Sequence, residues 1–125
     1  MKNTTEIGRY GENIAADYLK TQKYKIVAKN FHSSHNEIDI IAEDKKYIVF
    51  VEVKTRTVVS NSHFEYETPA SAVTYTKQKR VLAAAQSYLN SHPTHKAPRL
   101  DVIEVYLATS GEVLKINHME DAFSN

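Results

Sequence analysis

The chain has 125 residues, 42% of them hydrophobic and 25% charged, with a formal net charge of +1, which suits one domain with a real core and argues against a second. It has no cysteine, so disulfides and thiolate zinc sites are excluded. No long apolar run or signal-peptide pattern is present, so a cytoplasmic protein without a membrane partner is expected.

Taken in chain order, residues 5 to 22 read as a helix, with Ile7, Ile14, Tyr18 and Leu19 on one side and Gly8, Gly11 and Ala15 leaving room for close packing. Glu12 lies one turn from Gly8, Ala15 and Ala16. It borders the apolar stripe, and from position alone a glutamate aimed at the sheet and a solvated one are equally expected. Gly8-Arg9-Tyr10-Gly11 fits the GXXG of KH domains, but its place at the start of a first helix removes the weight of that match. Tyr24 to Phe31 reads as the first strand.

Residues 36 to 56 read as a hairpin, two Ile- and Val-rich halves around Glu43-Asp44-Lys45-Lys46. With Asp44-Lys45 at the tip, Asp39 faces Phe50 and Glu37 faces Glu52. Alternation then puts Asp39, Phe50, Glu52 and Lys54 on one face. A slip of one residue would move Asp39 to the face opposite Glu52 and Lys54 and abolish the site, and Glu37 is the rival ligand if the register differs in another way. Tyr47-Ile48-Val49-Phe50-Val51 offers large hydrophobes to both faces, the pattern of a central strand, which sets Glu52 and Lys54 at the border of the core. A carboxylate there is costly unless a cation or hydrogen bonds compensate it. Two carboxylates converging from adjacent strands suit Mg²⁺, or Mn²⁺, and an ammonium two residues on can orient water or offset charge on a phosphate.

Beyond Arg56, residues 57 to 69 read as a mobile loop in which Phe64 and Tyr66 stack on bases or, with more weight, anchor the loop to the core. Residues 74 to 90 form a second helix with Val81, Leu82, Ala85, Tyr88 and Leu89 as its stripe. Strands are expected over 99 to 107 and 112 to 116, with a loose tail from His118. Asp101 is a further acid near the site or, more often for such a residue, the partner of Arg99 on the same strand face. His92 and His95 flank Pro93 and read as solvated loop residues, and neither that pair nor His32 with His35 forms a helix-face ligand set.

The net charge is a weak sign of nucleic-acid binding, but its distribution is not even. Residues 54 to 99 hold seven Lys or Arg and only two acids, Glu65 and Glu67. Arg56, Lys77, Gln78 and Arg80 are therefore candidate phosphate contacts, with Arg56 the strongest. Lys77, Lys79 and Arg80 read about equally well as the solvated side of a helix.

Ile38-Asp39, twelve residues, then Glu52-Val53-Lys54 resembles the signature of the PD-(D/E)XK, or restriction-endonuclease-like, nucleases. Gly11-Glu12, Asn36-Glu37-Ile38-Asp39-Ile40-Ile41-Ala42, Phe50-Val51-Glu52-Val53-Lys54-Thr55-Arg56 and Arg99-Leu100-Asp101-Val102 together resemble the YraN family of small bacterial proteins, over about residues 7 to 107. The resemblance implies an αβββαβ core like that of archaeal Holliday junction resolvases, a mixed central sheet flanked by helices. It implies Asp39 and Glu52 as metal ligands, Lys54 as the catalytic lysine and Glu12 as a helix-borne acid. Asn36 stands where the family usually has glycine, and His32 near where it has arginine.

The expectation is an α/β domain over residues 1 to 125, with its core at about 5 to 117, acting as a Mg²⁺-dependent endonuclease on DNA, structured or branched DNA in particular. A homodimer is compatible with this. Two other readings compete: a nucleic-acid-binding module without turnover, whose binding would survive Lys54→Ala, and a protein-assembly factor indifferent to metal and nucleic acid.

Overall fold

The computed structural model describes residues 4–58 and 74–123. The elements run α1 (Thr4–Thr21), β1 (Lys25–Ser33), β2 (Asn36–Glu43), β3 (Tyr47–Val58), α2 (Tyr75–Ser91), β4 (Ala97–Ala108) and β5 (Val113–Met119). The five strands form one mixed sheet in sequential order. β1, β2 and β3 are antiparallel, β3 and β4 run parallel from Tyr47↔Ala97 to Val58↔Ala108, and β5 returns antiparallel to β4. A parallel pair needs a crossover, and α2 lies within the connection that supplies it. The loop expected over 57 to 69, with Phe64 and Tyr66, begins as strand at Thr57 and Val58 and otherwise lies outside the described residues.

β3 occupies the middle of the sheet because its side chains are apolar on both faces. Ile48 and Phe50 join Ile38, Ile41, Val81, Ala84 and Tyr88 under α2. Val49, Val51 and Val53 join Ala15, Leu19, Ile103 and Val105 under α1. Each such buried side chain contributes on the order of 1.5–3 kcal/mol before entropy is counted. α2 begins at Thr74, whose side chain accepts the Lys77 N–H. That N-cap fixes the first turn, and with it the position of Lys77.

The two glycines of α1 differ. A Cβ on Gly11 would stand 1.9 Å from Oγ1 of Thr55, so the helix rests directly on β3 there. A Cβ on Gly8 would meet nothing within 4 Å, so close packing is not what that glycine provides.

The tip of the β2–β3 hairpin is displaced by one residue from its expected place. Asp44 N donates to the Tyr47 carbonyl, and Asp44 Oδ1 accepts the Lys46 and Tyr47 N–H groups at 2.8 and 2.7 Å. Lys45-Lys46 is therefore the tip, because an aspartate entering a turn hydrogen-bonds the backbone two residues on. The register becomes Ile40↔Val51 and Ile41↔Phe50. The C-terminal segment is also more ordered than expected. β5 extends through His118 and Met119, Ala122 N donates to the Leu100 carbonyl, and Phe123 joins the core beneath α2.

Candidate metal centre

The register change leaves parity intact, since the partner residue moves by two. The last pair is Ile40↔Val51, and Ile38 packs with Ile41 under α2 although Ile40 packs under α1, so strict alternation does not run through Asp39. Backbone pairing of β2 with β3 stops at Ile40, and the Asp39 side chain takes over: its Oδ2 accepts the Val53 N–H at 2.8 Å. A carboxylate thus satisfies a strand donor that would otherwise be orphaned, and the bond fixes Asp39 beside Glu52.

Glu52 is 4% exposed. Its Oε2 lies 3.7 Å from the Lys77 ammonium, while its Oε1 is buried with no hydrogen-bond partner, alone in this among the buried side-chain polar atoms of the described residues. Burial, then the charge of Asp39, pushes the Glu52 carboxyl up to about 8, against the opposing pull of Lys77 and Lys54. Asp39 is raised too, by burial, with the Val53 N–H acting the other way. Two carboxylates have been brought together in a desolvated place without enough positive charge to hold both ionised. A divalent cation would supply that charge, and Mg²⁺ is commonly held by only one or two carboxylates, with waters and phosphate oxygens completing its shell. The donor set fits such an ion. Among the described residues no group of three or more His, Cys, Asp and Glu is disposed to hold a metal by itself.

Lys54 follows on the same face of β3, half-buried, and its charge favours the ionised form of Glu52. Glu12 reaches the site from α1. Burial and then the Asp39 charge raise its carboxyl, and a hydrogen bond from Asn30 opposes them. Glu37 lies at the margin, its Oε1 3.7 Å from Nε2 of His32, and its charge acts on both Glu12 and Asp39. Glu12 and Glu37 line a cleft of about 450 Å³ with Gly8, Arg9, Asn30 and His32.

The candidate phosphate contacts separate. Lys77 is a neighbour of Glu52, so it belongs to the carboxylate pair as much as to any surface. Arg56 is drawn into the protein: its Nε bonds Oε2 of the fully buried Glu104 at 3.0 Å, and the Tyr106 hydroxyl donates to Oε1 of the same residue at 2.6 Å. Arg80 and Lys79 are exposed on α2, Lys79 over the Tyr75 ring, and Gln78 is half-buried there. His92 and His95 are exposed, His92 stacked on Tyr88.

Asp101 belongs to the opposite face of the sheet. In the parallel register Asp101 lies beside Val51, whose side chain faces α1, whereas Glu52 lies beside Val102. Asp101 takes a two-pronged contact from Arg99, both bonds 2.9 Å, and further bonds from Nε2 of His118 at 2.7 Å and the Asp121 N–H at 2.9 Å. Arg99 and Asp101 thus pair as the strand alternation suggested. Glu104 and His118 were not singled out as functional or buried groups from the sequence. A charge inside the apolar run Val102–Leu107 was the available signal for Glu104, whereas nothing local marks His118.

A model of the uncharacterised protein family UPF0102 matches residues 11–105. The chain is similar to a UPF0102 protein of Caldanaerobacter subterraneus subsp. tengcongensis, 45% identical over 123 residues covering 97% of each chain. It is also similar to a UPF0102 protein of Clostridium botulinum strain Loch Maree, 42% identical over 120 residues covering 94% of each. Among the described residues no helix is long and apolar enough to cross a membrane.

Proposed function

The chain belongs to the UPF0102 family, and from the pairing of half-buried Asp39 with buried Glu52 we propose that it is a divalent-metal-dependent endonuclease of the restriction-endonuclease-like, PD-(D/E)XK type. Its substrate is DNA, structured or branched DNA in particular. The observation that carries the reading is the Asp39–Glu52 pair, in which Oε1 of Glu52 is buried with no other partner and the two carboxyls stay together in the free protein only by sharing a proton that Glu52 holds: a cation is the economical replacement for that proton. The αβββαβ order of α1 to β4, with the parallel β3–β4 pair, supports the same type.

Asp39 and Glu52 would hold Mg²⁺ or Mn²⁺, which polarises the phosphate and lowers the pKa of bound water. The Val53 N–H keeps Asp39 oriented. Lys54 orients the attacking water and offsets the charge that grows on the phosphate oxygens. Glu12 accepts a hydrogen bond from water at the edge of the site. Lys77 compensates Glu52 in the free protein and, one-third exposed, is accessible to a phosphate. Arg80 and Gln78 extend that surface along α2, and Arg56, bonded to Glu104 yet one-third exposed, stiffens the strand end and is as accessible to a phosphate as Lys77. Water would attack phosphorus directly as the bond from phosphorus to one sugar oxygen breaks, the freed sugar oxygen taking up a proton while the attacking water gives one to solvent, with no covalent enzyme intermediate.

The test is cleavage of linear, single-stranded and four-way-junction DNA by the wild type and Lys54→Ala, with Mg²⁺, Mn²⁺ or EDTA. Metal-dependent cutting that disappears in the variant is expected. The two-carboxylate donor set, short of three ligands among the described residues, favours one second reading, a DNA-binding module without turnover. Binding without cutting in every metal would select it.

A further inference from the structure

Gly8 stands in the interior of α1, where glycine is less favourable than alanine by about 1 kcal/mol. A glycine usually recovers that cost through a close approach or a special backbone angle. Gly8 has neither: no neighbouring atom lies within 4 Å of the place its Cβ would occupy, and its backbone is helical. The same is not true of Gly11, one turn on, which Thr55 leaves no choice. The space above Gly8 is part of the 450 Å³ cleft lined by Arg9, Glu12, Asn30, His32 and Glu37. The charges in this cleft are graded. Glu12 and Glu37 form the acidic side of the cleft, toward Asp39. Arg9 is exposed and makes no ion pair among the described residues. His32, also exposed, lies beside Glu37. A phosphate is repelled by Glu12 and attracted to the Arg9 guanidinium, the His32 imidazole beside Glu37 can donate a hydrogen bond to it, and a flat or sugar-like group can rest on the bare backbone at Gly8.

We propose that this cleft seats one nucleotide of the substrate strand next to the scissile phosphate, with its sugar against Gly8 and its own phosphate toward Arg9 and His32. The inference rests on the nucleic-acid substrate proposed above and adds the place where that strand passes α1. It gives Gly8 a role that stability alone does not explain: the residue leaves a floor for a ligand.

The variant that tests it is Gly8→Ala, read by thermal midpoint, by fluorescence anisotropy of labelled junction and single-stranded DNA in Ca²⁺, and by cleavage in Mg²⁺. The midpoint should rise by about 2–4 °C from helix propensity, while DNA affinity falls roughly five-fold or more because a methyl group occupies the ligand's space. Arg9→Gln should weaken binding and reduce the slope of log affinity against log salt by about 1. If Gly8→Ala is more stable and binds and cuts as the wild type does, the cleft is not the strand's seat and the nuclease reading stands. If its midpoint falls, the glycine serves packing and the inference is overturned. If the wild type binds DNA without cutting and Gly8→Ala binds it weakly, the cleft is retained and the nuclease reading is lost. A wild type with no affinity for either DNA overturns both.

Discussion

Two clusters of buried charge lie on opposite faces of the same sheet, and they are built on opposite principles. Under α1, Asp101 is 0% exposed yet fully supplied: Arg99 grips both oxygens, His118 and the Asp121 N–H add a bond each, and the Tyr24 hydroxyl bonds Arg99 in turn. Burial alone would raise its carboxyl, but the His118 and Arg99 bonds, with the guanidinium charge, hold it below the ordinary carboxylate range. On the α2 side, Glu52 is nearly as buried but faces another carboxylate, with the Lys77 ammonium at 3.7 Å and Lys54 nearby too little to offset it, and its Oε1 has no donor. Polar groups buried for structure are satisfied as a rule, and Glu52 departs from that rule where Asp101 keeps it. The satisfied cluster has a structural consequence as well. It ties β5 and the following turn to β4 and, through the Tyr18 hydroxyl on Nδ1 of His118, to α1.

The contrast can be broken by substitution. The largest effect expected is on cleavage: Asp39→Asn and Lys54→Ala should each lower the rate by about 10²–10³-fold or more, with thermal midpoints close to that of the wild type. Equal cleavage by Lys54→Ala would remove the lysine from the chemistry. On the other face, Arg99→Met leaves Asp101 without its main partner and should cost about 3–5 kcal/mol in urea unfolding, with the affinity for Mn²⁺ in the folded protein unchanged. A loss below about 1 kcal/mol would mean that the network is ornamental.

Next is Glu52→Gln, which should stabilise the metal-free protein at pH 8 by on the order of 1–3 kcal/mol. The sign follows from linkage. The carboxyl titrates near 4.5 when unfolded and is pushed up to about 8 when folded, so the folded state holds the extra proton between those values and wild-type stability falls as pH rises through that window. Glu52→Gln should flatten that slope. Asp101 behaves oppositely: its lowered carboxyl stabilises above the unfolded value of 3.8, and that contribution is lost as pH falls through the still lower folded value. A wild-type midpoint in EDTA that rises from pH 5 to 8 would contradict the account of Glu52. The smallest signal is calorimetric. Binding of Mg²⁺ or Mn²⁺ at pH 7 should release up to about one proton, visible as a dependence of the apparent enthalpy on the buffer's ionisation heat and absent in Glu52→Gln.

Much of this was legible in the chain. The run Tyr47–Val51 fixed the central strand, because only a strand covered on both sides can be apolar on both faces. Alternation put Glu52 and Lys54 together on β3 even though the turn was misplaced, whereas Asp39, just beyond the last backbone pair, is placed beside them by its bond to the Val53 N–H. Alternation likewise paired Arg99 with Asp101. Other features had no local signature. Lys77 meets Glu52 only because the crossover helix is laid over β3, Arg56 is captured by Glu104 only because β4 runs parallel beside it, and His118 is buried only because β5 folds back on β4.

The sequence by itself determined the periodicities, and with them the elements, the faces and the acids available to the site, because side-chain direction along a strand or helix is a local property of the backbone. Only the tertiary structure decided which charges are satisfied. That depends on distances between segments far apart in the chain and on the removal of water between them, which is why two similar acids on adjacent strands became a structural anchor and a candidate metal ligand.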